Sequence, residues 1–275
     1  LGIARALQQD VGALFGDAPD VVAADWAWTP PATPWRFHLA EIRSRIVKIP
    51  VESTDLQLWP HDAGGHDTEP TPRHNDLARR TLVMATCDPA AALLAALCRE
   101  QQGMRVLTIV RSSRAALDLL AAGMVHVAGV HVGRGSEGTG NTALAAERLH
   151  VSFLLMRAAE WTEGIAVGAR TANASVSRLK DRKVRWAGRE PGSGARQCLD
   201  ELLGPRRRYA VMTKDHRGVV EMVASGVADA GVCVQLAGQE RGLRFIPLQQ
   251  EHYDLCVPAD LEEDVRVRAL RNVLR

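Results

Sequence analysis

Short apolar segments alternate with helical segments from Thr81 onward, and this alternation constrains the fold more than any other feature of the sequence. The predicted strands and helices are, in chain order, 81–87, 88–98, 104–110, 112–120, 125–132 and 142–149. Apolar runs bounded by turn residues predict buried strands, and apolar residues at helical spacing predict the helices between them. Strands that alternate with helices pair in parallel through right-handed crossovers. We therefore predict an α/β fold with a parallel sheet.

A second block of alternating segments follows residue 160. We expect the segment Trp161–Gly168 and the segment near 247–253 to be crossover strands that join two α/β lobes. A single continuous sheet over residues 80–275 would contradict this arrangement. The other elements predicted in this block are strands over 183–188, 228–234, 245–248 and 253–258, a helix that begins at Ser193, and helices over 217–224 and 261–274.

Three strand-to-helix turns carry polar or charged side chains beside a helix N-terminus. They cover residues 86–89, 111–114 and 189–196, and the last reads Arg-Glu-Pro-Gly-Ser-Gly-Ala-Arg. The unsatisfied N–H groups of a helix N-terminus attract anions. Ligands of open α/β sheets lie outside the carboxyl ends of the strands. The three turns together predict an anion between the lobes, although one such turn alone would indicate an ordinary capped helix.

No known catalytic motif surrounds these turns. Ser193 has no histidine or lysine at a spacing that would indicate a general base for it. Its turn also lacks the nucleophile-elbow pattern G-x-S-x-G. A Walker A sequence, an H-E-x-x-H motif and a G-x-G-x-x-G after a strand are absent from the sequence as well. We therefore expect a binding protein with no catalytic residues, rather than an enzyme.

The composition narrows the class of protein. Hydrophobic residues make up 46% and charged residues 24% of the 275 residues, which is typical of a soluble globular protein, and the net charge of +2 is too small to indicate nucleic-acid binding. The five cysteines stand singly with no C-x-x-C spacing, which indicates a reducing compartment. His61, His66 and His74 are irregularly spaced, which favours exposed loop histidines over a metal site. No apolar run is long enough to span a membrane. We expect a cytoplasmic protein with no metal and no membrane contact.

The first 79 residues differ in pattern from the rest of the chain. Residues 1–16 show helical spacing and resemble the end of a lambda-repressor-like helix-turn-helix domain, although a plain amphipathic helix remains an alternative. The helix that would read DNA would then lie upstream of Leu1, so we expect the chain to be a fragment. Residues 17–79 are interpreted as a linker with a small β segment, because apolar alternation over 35–51 predicts a β-hairpin.

Five segments in order resemble the periplasmic-binding-protein-like domain related to molybdate-binding proteins. They are "CDPA…LL" at 87–94, "RSSRAALDLLAAGMVHVAGVH" at 111–131, "REPGSGAR" at 189–196, "VASGVADAGV" at 223–232 and "YDLCVP" at 253–258. The third also resembles the effector domain of LysR-type regulators. The resemblance implies a two-lobed type II fold over 80–275, with lobe 1 at about 80–160 plus 250–275 and lobe 2 at about 161–249. It also implies a small ligand between the lobes.

From the turns and the resemblance together, we predict the ligand-binding residues. They are Asp88, Ser112, Ser113, Arg114, His131, Asn141, Ser193, Gly194, Arg196 and Tyr253. Of these, His131 has a packing alternative, Asn141 could instead cap a helix, and Tyr253 could make a hydrogen bond at the hinge. Arg196 would supply the charge that holds the anion.

The expected function is that of the ligand-sensing domain of a cytoplasmic transcriptional regulator. The ligand would be a small anion, either an oxyanion such as molybdate or tungstate or a small anionic metabolite, with no other cofactor. DNA would be bound by the missing N-terminal domain, and a homodimer is left open. Because the resembling domain also occurs in molybdopterin biosynthesis proteins, a protein of molybdenum-cofactor metabolism is one alternative. A solute-binding protein of a transporter is the other.

Overall fold

The computed structural model describes residues 24–30, 35–52, 61–65, 72–132 and 139–275. Contacts within it divide the chain into two units, Leu1–Leu82 and Val83–Arg275. The helices predicted within 1–16 and the glycine-rich stretch 133–138 lie outside the described residues, so the predictions made for them are not tested.

The first unit contains a four-stranded sheet where the sequence predicted a linker with one hairpin. Its elements are β1 (Ala24–Trp26), β2 (Trp35–Ile42), β3 (Arg45–Pro50), β4 (Ala63–Gly65) and helix α1 (Pro72–Arg79), and the strand order is β1-β3-β2-β4. The predicted hairpin is confirmed, because β2 and β3 pair antiparallel with Ile42 opposite Arg45. Arg43 and Ser44 have φ angles of 48° and 62°, which are the left-handed values that a two-residue hairpin turn requires.

The second unit has the predicted alternation of strands and helices. Its strands are β5 (Thr81–Thr86), β6 (Arg105–Val110), β7 (Val127–Val130), β8 (Phe153–Val167), β9 (Trp186–Arg189), β10 (Val211–Thr213), β11 (Ala230–Val234) and β12 (Arg244–Pro258). Its helices are α2 (Ala91–Gln102), α3 (Ser113–Ala121), α4 (Thr139–Leu149), α5 (Val176–Leu179), α6 (Gly194–Leu203), α7 (His216–Ala224), α8 (Gln235–Glu240) and α9 (Val265–Val273). None of the described helices is long and apolar enough to cross a membrane.

Two strands of 15 residues, β8 and β12, form an antiparallel ribbon through the middle of the unit. Strands β7, β5 and β6 continue the sheet beyond β12, and strands β11, β9 and β10 continue it beyond β8. The expectation of separate sheets is wrong, because the crossover strands pair along their whole length and connect all eight strands. The two strands predicted at 245–248 and 253–258 are therefore one strand.

The two groups of strands join the ribbon at different ends. Strand β7 pairs with residues 254–256 of β12, which lie opposite residues 155–157 of β8. Strand β11 pairs with residues 163–167 at the other end of β8. This arrangement has the two lobes and two crossovers of the type II fold that the sequence resembles. The carboxyl ends of β5, β7 and β9 face the middle of the ribbon, where the lobes meet.

The turn over 189–196 has the predicted structure. Gly192 has a φ angle of 89°, and Ser193 caps α6 by accepting a hydrogen bond from the Arg196 backbone N–H at 3.1 Å. The Ser193 hydroxyl in turn donates to the Glu190 carbonyl oxygen at 3.1 Å. Strand, tight turn and capped helix therefore follow one another as the sequence predicts.

Candidate functional site

Six titratable side chains converge where the lobes meet, and we call them the buried cluster. Its members are Cys87, His131, Glu163, Arg189, His216 and Glu251, and each is 4% exposed or less. Cys87 and His131 follow the carboxyl ends of β5 and β7, and Arg189 ends β9. The two glutamates lie on the ribbon, and His216 begins α7. Since charged groups are seldom fully buried without a partner, the contacts of each member are informative.

His131 lies between a thiol and a carboxylate. Its Nε2 is 3.1 Å from Cys87 Sγ, and its Nδ1 is 2.8 Å from Glu251 Oε2. A carboxylate can only accept, so Nδ1 carries a proton, and Nε2 is the nitrogen that shares a proton with the Cys87 thiol. Burial by itself would lower the pKa of His131, but the neighbouring Cys87 and Glu251 raise it well above its usual value.

Three donors hold the Glu251 carboxylate in place. His131 and the Trp161 indole N–H donate to Oε2, the latter at 3.2 Å, and the Gln249 amide donates to Oε1 at 2.7 Å. Burial would raise the pKa of Glu251, but the hydrogen bond and the charge of His131, together with the hydrogen bond from Trp161, lower it to about 2. Glu251 is therefore a fixed, ionised acceptor behind the imidazole.

Glu163 lies on the neighbouring strand of the ribbon, and its pKa is shifted in the opposite direction from that of Glu251. Its Oε2 accepts from Gln249 at 3.2 Å, and its Oε1 is buried without a hydrogen-bond partner among the described residues. Burial and the charge of Glu251 raise the pKa of Glu163 well above its usual value, although His131 and Arg189 oppose this. Burial therefore favours a neutral carboxyl group, which can donate as well as accept.

Arg189 and His216 each present an N–H group that has no acceptor among the described residues. His216 Nδ1 lies 3.3 Å from two donors, Arg189 Nη1 and the Val234 backbone N–H. A second nitrogen of the guanidinium, Arg189 Nη2, donates to the Lys214 carbonyl oxygen. Two donors at Nδ1 mean that the proton of a neutral His216 is on Nε2. His216 Nε2 and Arg189 Nε are buried without partners among the described residues. Burial and the charge of Arg189 lower the pKa of His216 well below its usual value.

Two sets of side chains in the buried cluster have the spacing of metal ligands. Within each set, Cys87, His131 and His216 or His131, Glu163 and Glu251, the ligand atoms lie within 4.8 Å of one another. The donors at His216 Nδ1 and the proton on Nε2 leave that ring no free lone pair for a metal. In the other set, His131 Nδ1 carries a proton, which it donates in a hydrogen bond to Glu251. The hydrogen bonds fit an anion better than a cation.

Two residues predicted to bind ligand, Ser113 and Asn141, make hydrogen bonds around His131 and the ends of the neighbouring strands. The Ser113 hydroxyl exchanges hydrogen bonds with the backbone carbonyl and N–H of His131 at 2.9 and 3.1 Å. Asn141 accepts from the Val132 N–H and donates to the His252 carbonyl oxygen and Asp254 Oδ2, at 2.7 to 3.0 Å. These bonds hold His131 and the strand ends in place and leave Ser113 and Asn141 in supporting positions.

Other predicted residues lie around the turns of lobe 1. The Asp88 carboxylate accepts from the Ala90 N–H at 2.8 Å, and burial raises its pKa. Ser112 is 3% exposed at the N-cap of α3, with no capping bond from its side chain. Arg114 forms an ion pair with Glu147 at 3.2 Å on the surface. Tyr253 is buried, its hydroxyl hydrogen-bonds Thr86 Oγ1, and its ring stacks on Trp161 with centroids 4.7 Å apart.

The predicted residues of lobe 2 surround the N-terminus of α6. A Cβ atom at Gly194 would come within 2.8 Å of His131 Nδ1, so glycine allows the helix N-terminus to approach the imidazole. Arg196 forms an ion pair with Asp200 at 2.9 Å, donates to the Arg189 carbonyl oxygen and lies over the Tyr209 ring. The Arg196 guanidinium is thus engaged on its own helix, and the cation in the buried cluster is Arg189.

Sequence reasoning found His131 but missed the other five members of the buried cluster. Cys87 is one of five cysteines that stand singly in the sequence, and Arg189 begins the predicted turn over 189–196. Glu163 and Glu251 had a signal that was not used, since a glutamate inside an apolar strand needs a polar partner. His216 follows the Asp215 cap of α7, where the sequence resembles an ordinary helix start.

A surface pocket of about 420 Å³ lies apart from the buried cluster. Among its lining residues are Arg170, Thr171, Arg178, Asp181 and Lys183. It contains none of the cluster residues, and its basic side chains are those of a solvated face. The buried cluster is the better candidate because three of its polar atoms, Glu163 Oε1, Arg189 Nε and His216 Nε2, lack partners among the described residues although they are shielded from water.

Comparisons with known proteins agree with the fold. Residues 94–275 match the family model of a PBP superfamily domain. The uncharacterized protein YvgK of Bacillus subtilis strain 168 is 38% identical over 103 residues, which are 35% of this chain and 33% of YvgK. The chain therefore matches about a third of the length of this curated relative.

Two solved structures resemble this one. PhnD1 from Prochlorococcus marinus MIT 9301, in complex with methylphosphonate, aligns with a TM-score of 0.50 and 17% identity over 71% of this chain and 84% of that one. The ancestral amino acid-binding protein AncCDT-1, a precursor of cyclohexadienyl dehydratase, aligns with a TM-score of 0.51 and 16% identity over 73% and 90%. At these identities the likeness concerns the fold alone.

Proposed function

The chain belongs to the PBP superfamily, and we propose that this ligand-binding domain holds a small anion at the buried cluster between its lobes. One observation carries the proposal: Arg189 Nε and His216 Nε2 are buried N–H donors without acceptors among the described residues. A buried unpaired donor is costly, so a ligand that accepts from both would be stabilised. A neutral Glu163 would add a third donor through Oε1, the atom that also lacks a partner.

The anion is proposed to be a tetrahedral oxyanion such as molybdate or tungstate, or a small anionic metabolite. An oxyanion can accept several hydrogen bonds at once and receives a charge-assisted one from a guanidinium. The N-terminus of α6, which approaches His131 at Gly194, adds favourable electrostatics for negative charge. The structure of PhnD1 with methylphosphonate supports the choice, because that ligand is also a small tetrahedral anion.

Calorimetric titration with molybdate, tungstate, sulfate and phosphate tests the proposal. We expect Arg189→Met to weaken binding by about 10- to 100-fold, since a charge-assisted hydrogen bond contributes roughly 1.5–3 kcal/mol. The matched control is Arg196→Met, which removes a guanidinium paired with Asp200, and we expect less than about a threefold change. Equal affinity of the parent and Arg189→Met would refute the site.

Native mass spectrometry separates the two kinds of anion. The purified protein should retain either an oxyanion or an organic anion, identified by its mass. A parent that binds none of the four oxyanions and retains no anion would contradict the proposed function. Circular dichroism of Arg189→Met, compared with that of the parent, shows whether the variant folds.

We further propose that anion binding serves a cytoplasmic transcriptional regulator. The support is the resemblance of residues 1–16 to the end of a helix-turn-helix domain. Ligand that closes the two lobes would bias an attached DNA-binding part. The 275-residue chain alone should bind DNA only weakly, with a Kd above about 1 µM at physiological salt, and without sequence preference. Tighter, sequence-specific binding of DNA by this chain would contradict this expectation.

A further inference from the structure

Cys87, His131 and Glu251 have the geometry of a nucleophile, its base and the group that orients the base. The Sγ–Nε2 distance is 3.1 Å, and the Nδ1–Oε2 distance on the other side of the ring is 2.8 Å. Because Nδ1 donates to Glu251, Nε2 is the ring nitrogen that faces the thiol and can exchange a proton with it, as a general base requires. Cys87 and His131 are 44 positions apart in the sequence, and His131 and Glu251 are 120 positions apart.

His216 completes the arrangement from the opposite lobe. One of its ring nitrogens lies within 4.8 Å of Cys87 Sγ and of a ring nitrogen of His131. Its Nε2–H is buried and has no acceptor among the described residues. A ligand oxygen held near Cys87 would supply an acceptor for that donor, so the unpartnered N–H indicates that a ligand oxygen belongs in the buried cluster.

We propose that Cys87 is the nucleophile of an acyl-transfer reaction, in which a small ester or thioester of an anionic acid is hydrolysed in the cleft. His131 is the base, His216 donates to the acyl oxygen, and Arg189 binds the anionic part of the substrate. Glu251 acts as a positioning residue through His131. The inference shares the donors Arg189 and His216 with the proposed function and adds to it a reaction at Cys87.

The reaction balances with water as the second substrate. Cys87 Sγ bonds to the acyl carbon as its proton passes to His131 Nε2, and the bond from that carbon to the leaving oxygen or sulfur breaks. The leaving group takes the proton from His131 and departs as an alcohol or thiol. Water then gives a proton to His131 and its hydroxide to the acyl carbon, the S–C bond breaks, and the thiol is restored. The acyl group leaves as a carboxylic acid.

The substrate must enter before the lobes close. Cys87 is 4% exposed and His131 is fully buried, so an acyl donor reaches the thiol when the cleft is open. Closure would then bring His216 and Arg189 of lobe 2 against a substrate held at Cys87 of lobe 1. Hinge closure around a ligand is a common motion of two-lobed proteins.

Reaction with p-nitrophenyl acetate tests the inference, because this small neutral ester needs no anion site. We expect a burst of p-nitrophenolate of about one equivalent, and a mass gain of one acetyl group on the peptide that contains Cys87. Cys87→Ala should abolish both, whereas Cys98→Ala, which changes another buried cysteine, should leave them unchanged. Thermal melts of both variants confirm that they are folded.

A pH profile separates the role of Glu251 from mere support of the fold. In Glu251→Gln, the acetylation rate should fall at least about tenfold at neutral pH, with a shifted pH dependence, because the proton on Nδ1 is no longer fixed. A parent that is not acetylated, or a Cys87→Ala variant acetylated like the parent, would overturn the inference. An unchanged rate and profile in folded Glu251→Gln would overturn the role of His131 and Glu251.

The outcomes for the two proposals are distinguishable. Acetylation of Cys87 without any anion bound in calorimetry would retain the reaction and remove the anion site. Anion binding that depends on Arg189 but leaves Cys87 unreactive would retain the binding function and remove the reaction.

Discussion

His131 Nδ1 donates a hydrogen bond of 2.8 Å to Glu251 Oε2, although the two residues are 120 positions apart in the sequence. His131 follows a strand of lobe 1, and Glu251 lies in the ribbon that joins the lobes. Both are buried, so solvent screens their interaction little. This contact fixes the protonated nitrogen of the imidazole and links the stability of the protein to pH.

Glu251→Gln should destabilise the protein at neutral pH. The variant leaves His131 with a weaker acceptor, and removing one partner of a buried pair costs about 3–5 kcal/mol. The measurement is the free energy of unfolding by urea at about pH 7. Glu160→Gln, at a glutamate of the neighbouring strand β8 that is 68% exposed, is the control and should change it by less than about 0.5 kcal/mol. Equal effects of the two substitutions would contradict the role assigned to the pair.

The loss of stability at acid pH should also depend on Glu251. Its pKa is about 2 in the folded protein and 4.5 as a free side chain. The resulting stabilisation, on the order of 3 kcal/mol, is present above pH 4.5 and is lost as the pH falls toward 2. Urea unfolding at several pH values between 6 and 2 should therefore show a shallower decline for Glu251→Gln than for the parent. Parallel profiles would show that Glu251 is not the titrating group.

Glu163→Gln should change the stability of the protein in the opposite direction from Glu251→Gln. Because burial raises the pKa of Glu163 well above 4.5, the folded state binds a proton more tightly than the unfolded state, and ionising this carboxyl group costs stability as the pH rises. The neutral amide removes that cost. We expect the variant to match the parent below pH 4.5 and to be more stable than it near pH 8. A variant less stable than the parent at pH 8 would refute this expectation.

Asn141→Ala should destabilise the protein by roughly 2–4 kcal/mol, because three hydrogen bonds in a buried region are lost and their partners are left unsatisfied. The partners are the Val132 N–H, the His252 carbonyl oxygen and the Asp254 carboxylate. Asn173→Ala, at an exposed asparagine, is the control and should lower the melting temperature by less than 2 °C or so. A small effect at Asn141 would show that its side chain is not a support and would return it to the set of ligand contacts.

Ser44→Gly should stabilise the first unit. Ser44 occupies the second position of the β2–β3 turn with a φ angle of 62°, which glycine adopts without steric cost. We expect a gain of about 0.5–1 kcal/mol in the free energy of unfolding of this unit. Ser44→Val should destabilise it, since β-branched residues rarely adopt positive φ values. The same direction of change in both variants would contradict the turn geometry.

Much of the fold follows from local patterns. The alternation from Thr81 onward and the hairpin at 35–51 are confirmed, because apolar spacing and turn residues act over a few positions. The site was less predictable. The turn chemistry at Ser193 is confirmed, but its neighbour Arg196 pairs with Asp200 one helical turn away, and the sequence pattern does not show which guanidinium is already engaged.

The sequence by itself determined the strands, the helices and the capped turns, since these depend on residues close together in the chain. The tertiary structure alone decided that Cys87, His131, Glu163, Arg189, His216 and Glu251 share one buried volume. The physical reason is that the ribbon of β8 and β12 brings the ends of distant strands together, and pairing between distant strands leaves no local pattern. Partners, protonation and the unpaired donors of the buried cluster all depend on that long-range arrangement.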